Sequence, residues 1–466
     1  MRRTKIVSTL GPSTEDPATL RAVLDAGTDV VRLNGAHGTP AAHARTADVA
    51  RAAAAELGRN VGVLVDLPGP KLRIGEVHGD EVELDVGTTF WLASAGEQPP
   101  GPGVTTNVPE LGDLVDVGDV AWLADGEIVL EVEEVSGDSL GTKVVRGGTL
   151  RSRKGLALPG AEGVLDPFTP ADQEILDLAS GIGADLVGVS FVRLADDITR
   201  VRDALDGGRT DPLLVAKIET RQALDHINEI VATADAVMVA RGDLGVQVGV
   251  ARTPLVQKEI IGLCNRAGRP VITATQMLHS MTRSPLPTRA EASDVANAVL
   301  DGTDAVMLSD ETGIGSQPAQ AVATMAEVVV AAESWEPAAG AGPSDATRDE
   351  PVAAAVARAA VQAAGEARAT AIVCRTTTGA TAQRIAALRP EMPVVAVTEV
   401  PGVAARLTVV WGVVAVTAAA PAGDMKATAA AAGAAGAVTA GALVVVVAGP
   451  GRGTPDVAGS VSIHRA

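Results

Sequence analysis

The chain has 466 residues, which is too long for a single hydrophobic core and predicts two to four domains. A formal net charge of −19 and an aromatic content of 2% argue against nucleic acid or an anionic membrane as a partner, because both require a basic surface. With no apolar segment of ~20 residues, no export signal and two cysteines far apart in the sequence, we expect a cytoplasmic protein with reduced thiols.

The first 67 residues alternate between strand-like and helix-like segments. KIVSTLG, DVVRLNG and NVGVLVDL have the apolar pattern of buried strands, and helical segments separate them at residues 16–27 and 40–57. This order predicts parallel β/α units. We assign residues 1–67 to the first part of a barrel domain.

Residues 68–153 have a different pattern, with short alternating segments such as EVELDVG, TTFWLA and EIVLEVEEV separated by Gly and Asp. This pattern is typical of an all-β domain. From residue 154 to 335 the β/α alternation resumes with ADLVGVSFV, PLLVAKIE, DAVMVARGD, RPVITATQM and DAVMLSDET. About eight strands in total predict an α/β fold, a closed (β/α)8 TIM barrel with a small β-barrel domain inserted as a lid at its catalytic rim.

Residues 336–350 are small, polar and rich in Pro and Gly, which is typical of a linker. Beyond it, residues 351–466 contain TAIVCRT, PVVAVTE, GVVAVT and ALVVVVAG between Ala-rich helical segments. We predict a separate C-terminal α/β domain.

Lys217, Glu219 and Asp243 lie at the ends of two apolar segments that are separated by a helical one. Parallel strands expose their carboxyl ends on one rim, so we expect these three side chains to converge there. Two carboxylates near an ammonium suit Mg²⁺ or Mn²⁺. The alternative is a solvated Lys–Glu pair, but the chain has thirty-one Arg and seven Lys, so its few lysines occur at selected places.

Nine segments along the chain occur in an order that a known family shares. They are TKIVSTLGPS, VVRLNGAHG, DLPGPKLRIG, SRKGLALPG, GVSFVR, AKIET, VMVARGDLGV, ITATQML and PTRAEASDVANAVLDGTDAVMLSDET. In these segments the chain resembles the pyruvate kinase family over nearly its whole length, and the resemblance makes the C-terminal domain a candidate regulatory domain. The resemblance implies transfer of the phosphoryl group of phosphoenolpyruvate to ADP, giving pyruvate and ATP in glycolysis, and it implies a homotetramer.

The resemblance also implies residue roles. Catalytic residues would be Lys217, Thr275 and Ser309; substrate-binding residues Arg32, Lys217, Gly242, Asp243 and Thr275; nucleotide-binding residues Asn34, Arg73 and Lys154; and Mg²⁺ or Mn²⁺ ligands Glu219 and Asp243. Glu311 would extend a proton relay from Ser309 through water.

The sequence departs from the family at the site where many members bind K⁺. Asn34 and Asp66 are present, but Ala36 and Leu67 stand where two hydroxyl ligands would be. Lys71 occupies a position that is Glu in the K⁺-dependent members, and its ammonium can replace the field of a bound cation. We therefore predict that K⁺ is not required. Three further departures, Pro68, Ala157 and Asp310, leave open whether activity is impaired or redirected.

Two other functions remain open from the residues alone. One is a metal-dependent lyase acting on phosphoenolpyruvate or pyruvate, although such an enzyme does not need Arg73 and Lys154 for a nucleotide. The other is a non-catalytic relative that binds a phosphorylated metabolite. The TTTGATA segment at residues 376–382 is either a phosphate loop for a phosphorylated effector, with Arg375 and Arg384 as candidate partners, or a simple strand-to-helix turn.

Overall fold

A computed structural model describes residues 2–124, 126–158, 165–205, 211–335, 351–448 and 459–466. The predicted linker at 336–350 lies outside the described residues. Both cysteines are free and buried. Among the described helices, none is long and apolar enough to cross a bilayer.

The N-terminal segment forms the β/α units that its pattern predicts. Its elements are β1 (Lys5–Thr9), α1 (Pro17–Asp25), β2 (Val30–Asn34), α2 (Pro40–Glu56) and β3 (Gly62–Asp66). Both helices begin with a capped proline turn. The Asp16 side chain accepts from the backbone N–H of Thr19, and Thr39 does the same for Ala42. These caps satisfy N–H groups that have no partner inside the helix.

The inserted segment is all β, as predicted. Its strands are β4 (Glu81–Leu84), β5 (Thr89–Ala93), β6 (Gly103–Thr105), β7 (Val120–Leu123), β8 (Ile128–Ser136), β9 (Ser139–Arg146), β10 (Gly148–Arg151) and β11 (Leu156–Ala157). They form a six-stranded sheet in the order β11-β7-β8-β9-β5-β6 and a two-stranded sheet of β10 and β4. We predicted an end at residue 153, but β11 pairs with β7, so the insert continues to Ala157.

The chain then returns to the barrel. Its elements are α3 (Pro170–Ile182), β12 (Leu186–Val189), α4 (Ala195–Leu205), β13 (Leu213–Ile218), α5 (Arg221–Asp225), α6 (Ile227–Thr233), β14 (Ala236–Ala240), α7 (Arg241–Val248), α8 (Thr253–Ala267), β15 (Val271–Ala274), α9 (Arg289–Leu300), β16 (Ala305–Leu308), α10 (Asp310–Gly313) and α11 (Pro318–Ser334). Eight parallel strands close in the order β1-β16-β15-β14-β13-β12-β3-β2, which confirms the predicted TIM barrel.

The structure differs from the sequence prediction at two places near β13 and β14. A single helix was expected between these strands, but two short helices meet at His226. RGDLG was expected to be a turn, yet α7 begins at Arg241 directly after β14. Asp243 is therefore held in the first turn of a helix.

Four aspartates repeat around the base of the barrel, each one residue before a strand. Their carboxylates accept the backbone N–H of a residue at the start of the preceding barrel strand, over 2.8 to 3.0 Å. The four pairs are Asp29 with Ile6, Asp185 with Val63, Asp235 with Leu214, and Asp304 with Val271. Each pair ties two neighbouring strands together at the end opposite the catalytic rim.

The C-terminal domain packs against that base. Its elements are α12 (Pro351–Glu366), β17 (Ala371–Arg375), α13 (Ala380–Ala386), β18 (Val394–Thr398), α14 (Pro401–Arg406), β19 (Val413–Thr417), α15 (Met425–Ala434), β20 (Leu443–Ala448) and β21 (Ser460–Arg465). The sheet order is β19-β18-β17-β20-β21, and the edge strand β21 was not predicted.

One hydrophobic cluster runs from the barrel interior into the C-terminal domain. It contains Leu64 and Met238 from the barrel together with Val409 and Val413 from the C-terminal domain. The two domains approach closely at Gly62, where an added Cβ would lie 2.5 Å from Thr408 Oγ1. The base of the barrel is therefore covered, and the open rim is where a substrate has access.

Candidate active site

The residues predicted for catalysis lie at the carboxyl ends of the barrel strands. Arg32 is on β2, Lys217 is on β13, and Glu219 directly follows that strand. Asp243 is in the first turn of α7, and Thr275 directly follows β15. The convergence predicted for Lys217, Glu219 and Asp243 is therefore observed, and Arg32 and Thr275 lie on the same rim.

Lys217 is at the centre of this arrangement and is 8% exposed. Its Nζ donates to Ser190 Oγ at 2.7 Å and lies 3.1 Å from Glu219 Oε1 and 3.5 Å from Asp66 Oδ2. Burial lowers the pKa of the Lys217 ammonium, but the carboxylates of Asp66 and Glu219 outweigh it, so the pKa is raised. Lys217 is a fixed positive charge facing the rim.

Asp66 connects this lysine to Arg32. Arg32 Nε lies 2.7 Å from Asp66 Oδ2, and Arg32 Nη1 donates to Thr9 Oγ1 at 3.1 Å. Although burial raises the pKa of Asp66, Arg32 and Lys217 together hold it below its usual value. The sequence had suggested Asp66 only as a ligand of a monovalent cation. Its bridging role depends on a contact between strands that are distant in the chain.

Glu219 and Asp243 form an acidic pair beside Lys217. Glu219 Oε2 accepts the backbone N–H of Phe191 at 2.7 Å. Burial raises the pKa of Glu219. The Lys217 ammonium opposes this rise, the nearby Asp243 carboxylate adds to it, and the pKa remains above its usual value. Asp243 Oδ1 is 2.7 Å from Lys71 Nζ. Two carboxylates at an open rim fit a Mg²⁺ or Mn²⁺ ion that completes its shell with substrate and water oxygens. Among the described residues, no group of three or more Asp, Glu, His or Cys side chains is arranged to hold a metal ion.

Thr275 meets the start of α7. Its Oγ1 accepts the backbone N–H of Gly242 at 2.8 Å and donates to the carbonyl of Ala274 at 2.6 Å. The φ angles of Thr275 and Gln276 are 70° and 55°, a left-handed conformation that is uncommon outside glycine. The hydroxyl is thereby aimed at the helix that carries Asp243.

Ser309 follows β16, and its Oγ is buried without a hydrogen-bond partner among the described residues. Glu311, which is 1% exposed, accepts the backbone N–H of Ser309 at 2.7 Å and that of Leu278 at 3.0 Å. We expected Glu311 to extend a proton relay. In the structure both of its oxygens accept backbone N–H groups, so it connects the segments that follow β15 and β16.

Of the residues predicted to bind the nucleotide, Arg73 and Lys154 belong to the lid and Asn34 ends barrel strand β2. Among the described residues, none of the three forms a hydrogen bond or ion pair with Lys217. Arg73 Nη1 donates to the carbonyl of Arg153 at 3.2 Å, and Lys154 is exposed. Asn34 Oδ1 accepts the backbone N–H of Ala36 at 3.2 Å. Burial and the charges of Arg73 and Arg32 lower the pKa of the neighbouring His37. This part of the rim is strongly cationic.

A cleft of about 640 Å³ separates the lid from the barrel. The lid contributes Trp122, Leu156 and Ala157 to its walls, while Glu219 and Asp243 belong to the barrel side. The acidic pair therefore opens into a space that a substrate can enter.

The TTTGATA segment forms a strand-to-helix turn in which Thr376 Oγ1 accepts the backbone N–H of Gly379 at 2.8 Å. Arg375 is bound to the carbonyl of Ala420 at 2.6 Å and lies 3.6 Å from Glu399. Arg375 is thus directed away from a phosphate in this turn. Arg384 and Thr381 line a small hollow beside α12.

A parallel barrel with cations and a carboxylate pair at its rim, covered by a β lid, defines a TIM-barrel enzyme suited to a phosphorylated substrate. Comparison with known families gives a match to the pyruvate kinase barrel domain over residues 1–322 and to the pyruvate kinase alpha/beta domain over residues 354–464. The chain belongs to the pyruvate kinase family and has the phosphotransferase activity of that family.

Individual relatives agree with this assignment. A pyruvate kinase of Agrobacterium vitis is 41% identical over 420 residues, which cover 89% of this chain and 87% of that protein. A pyruvate kinase of Thermococcus litoralis is 42% identical over 338 residues, 72% of this chain and 71% of that protein. A crystal structure of a pyruvate kinase from Cryptosporidium parvum has a TM-score of 0.89 at 32% identity and covers 100% of this chain and 96% of that one.

Proposed function

We propose that this rim moves the phosphoryl group of phosphoenolpyruvate to ADP, with Lys217 as the residue that stabilises the group in transit. The observation that carries the proposal is the buried Lys217 ammonium, held 3.1 Å from Glu219 and facing the open rim. Phosphoryl transfer depends mainly on positioning and on neutralising negative charge. A fixed ammonium in a water-poor site supplies such neutralisation without reorganisation.

Glu219 and Asp243 would hold the divalent cation, Mg²⁺ or Mn²⁺. A bound ion of this kind polarises the substrate oxygens and offsets their charge. Arg32, fixed by Asp66 at 2.7 Å, would bind the phosphate. The backbone N–H groups at the start of α7, near Gly242, would favour the substrate carboxylate, because the N-terminus of a helix carries a partial positive charge.

After phosphoryl transfer the enolate must gain a proton at carbon. Thr275 and Ser309 support this step because one hydroxyl is fixed by the N–H of Gly242 at 2.8 Å and the other is buried without a protein partner among the described residues. A water bound to Ser309 Oγ would connect the two hydroxyls to solvent.

The lid would bring cations onto ADP. Arg73 and Lys154 lie near the two ends of the insert, and Asn34 ends β2. Closure over the cleft would exclude water from the transferring group. We also propose that Lys71 makes K⁺ unnecessary. We propose that the enzyme is a homotetramer, as the family resemblance implies. Any phosphorylated effector would bind near residues 376–384 rather than through Arg375.

The proposal is tested by coupling pyruvate formation to NADH oxidation with phosphoenolpyruvate, ADP and MgCl₂. We expect turnover that EDTA abolishes and that Mn²⁺ restores. Glu219→Gln should weaken Mn²⁺ binding measured by calorimetry, whereas the matched variant Glu229→Gln, on α6 and exposed, should not. Absence of pyruvate, turnover that is insensitive to EDTA, or equal Mn²⁺ affinity in both variants would contradict the proposal.

A further inference from the structure

Arg241 is a largely buried residue that connects two parts of the site, the start of α7 and the segment that follows β15. It begins α7, immediately before Gly242 and Asp243, and its side chain is 11% exposed. The mechanism proposed above gives this arginine no role. The sequence pattern suggested only a turn at this position.

The segment after β15 has a conformation that needs external support. Two consecutive residues, Thr275 and Gln276, have positive φ angles although neither is glycine. A β-branched residue such as threonine is particularly unfavourable there, because its Cβ approaches the neighbouring carbonyl. Such strain persists only where surrounding contacts fix it, and it is concentrated at functional sites.

The Arg241 guanidinium makes the contacts that fix this segment. Nη2 donates to the carbonyl of Thr275 at 2.7 Å and to Met277 Sδ at 2.8 Å, and Nε donates to the carbonyl of Ala274 at 3.2 Å. One planar group therefore holds both carbonyls that flank the start of the turn.

The guanidinium is itself anchored from the outside of the barrel. Nη1 lies 2.7 Å from Asp294 on α9 and donates to Gln257 on α8 at 3.2 Å. Gln257 is 3% exposed. A lysine could not reproduce this set, because an ammonium lacks the rigid fork that reaches several acceptors in one plane.

From these contacts we infer that Arg241 is a positioning residue for the phosphoryl-transfer site, which holds Thr275 in its strained conformation and sets the Thr275 hydroxyl relative to Asp243. The inference rests on the role proposed above for Thr275. The backbone of α7 completes the link, since the N–H of Gly242 donates to Thr275 Oγ1 at 2.8 Å. Without Arg241 the segment would relax toward negative φ and move the hydroxyl.

The test combines removal of the guanidinium with removal of part of the strain. Arg241→Lys should lower kcat by about 100-fold with a smaller change in KM for phosphoenolpyruvate, as expected for a displacement of about 1 Å at a reacting group. Gln276→Gly removes the side chain at an exposed position with φ of 55°, where glycine is unstrained. This change should restore kcat at least about tenfold in the Arg241→Lys background, because the turn then gains less free energy by relaxing.

The matched control is Arg202→Lys. Arg202 also joins an aspartate and a backbone carbonyl, Asp235 at 3.0 Å and Thr233 at 3.3 Å, but at the base of the barrel. All rates are measured well below the melting temperature of each variant. We expect Arg202→Lys to lose thermal stability without a specific loss of kcat.

The outcomes separate this inference from the proposed function. An inactive wild type would reject the proposed function. An active wild type that is slowed by Thr275→Ala but not by Arg241→Lys would reject only the inference. Equal kcat losses in Arg241→Lys and Arg202→Lys, or no recovery with Gln276→Gly, would also overturn it, because they would indicate a general structural effect.

Discussion

Lys71 reverses the charge that the family resemblance predicts for a K⁺-dependent site, because a lysine stands where the K⁺-dependent members would have a glutamate. Its ammonium lies 2.7 Å from Asp243 Oδ1 and is 25% exposed, so a positive charge is built into the rim. Ala36 and Leu67, at positions where a K⁺ cage would need hydroxyls, supply no side-chain oxygen. The fixed ammonium of Lys71 and the loss of two of the four oxygen ligands that would bind K⁺ together favour activity without a monovalent cation.

We predict comparable turnover in tetramethylammonium and potassium buffers free of sodium. Lys71→Met should reduce turnover in both buffers, and K⁺ should not restore it because the oxygen ligands are missing. Lys143→Met, in a lid lysine that pairs with Glu133 on the surface at 3.1 Å, serves as the control and should remain active. An increase of orders of magnitude when K⁺ is added to the wild type would contradict this account.

Individual site residues could be predicted to very different extents from the sequence. Lys217, Glu219 and Asp243 follow apolar strands, and parallel strands bring such positions together, so their convergence was predictable. The Asp66 bridge between Arg32 and Lys217 was not, because three separate strands supply it. Arg241 was missed for the same reason, since its partners come from α8, α9 and the segment after β15.

At the level of elements, the aspartates at the barrel base show how one side chain can fix strand register. Three of the four aspartates also pair with an arginine: Asp29 with Arg2 at 2.7 Å, Asp235 with Arg202 at 3.0 Å, and Asp304 with Arg389 at 3.2 Å. Burial raises the pKa of the fourth, Asp185, from 3.8 to about 6, although the Val63 N–H, Arg51 and Arg406 oppose the rise. The ionised form of Asp185 is therefore unfavourable in the fold.

This shift predicts a specific pH dependence of stability. Between about pH 4 and pH 6 the folded protein holds a proton on Asp185 that the unfolded chain has lost, so the free energy of unfolding falls as pH rises through this range. The loss is at most about 3 kcal/mol, at ~1.4 kcal/mol per pKa unit, and it remains above pH 6.

Asp185→Asn keeps an acceptor for the Val63 N–H and removes the charge. We expect a higher free energy of unfolding than wild type above pH 6 and a flatter profile from pH 4 to 6, measured by urea denaturation. Asp235→Asn is the matched control, since it loses the Arg202 pair and should be destabilising at neutral pH. Destabilisation by Asp185→Asn at pH 7 would contradict the assigned shift.

Element types were more predictable than their boundaries. Long apolar runs identified every barrel strand, because buried parallel strands are apolar on both faces. The lid boundary was placed before β11, since two residues that pair with β7 have no pattern of their own. The edge strand β21 (SVSIHR) was missed because its mixed polarity reflects partial exposure rather than a buried run.

At the scale of the whole molecule, the C-terminal domain and the barrel share one hydrophobic cluster and a charged contact around it. Arg389 lies 3.2 Å from Asp304 and donates to the carbonyl of Gly302 at 2.8 Å. Its guanidinium also stacks on Trp411, 4.9 Å from the ring centre, with Arg3 on the same ring at 5.1 Å. The sequence predicted a barrel domain and a separate C-terminal domain, but not that these two share a core.

We predict that Arg389→Met destabilises both domains together. Removal of one partner from a largely buried ion pair costs about 3 kcal/mol, because Asp304 keeps its charge without the arginine. Arg153→Met, which breaks the exposed pair with Glu76, should cost under about 1 kcal/mol. Urea denaturation followed by tryptophan fluorescence and by circular dichroism should give coincident transitions at a lower midpoint. An unchanged midpoint would contradict the coupling.

In the proposed mechanism, catalysis depends most on the charge that Lys217 presents to the transferring phosphoryl group. The direct measurement is kcat for pyruvate formation by Lys217→Met, together with phosphoenolpyruvate binding by calorimetry and the melting temperature. Lys258→Met, on the surface of α8 and half exposed, is the control. We expect a loss of about 1,000-fold or more in kcat with measurable substrate binding, since the ammonium acts mainly on the transition state. Turnover near that of the wild type in a folded Lys217→Met variant would contradict the mechanism.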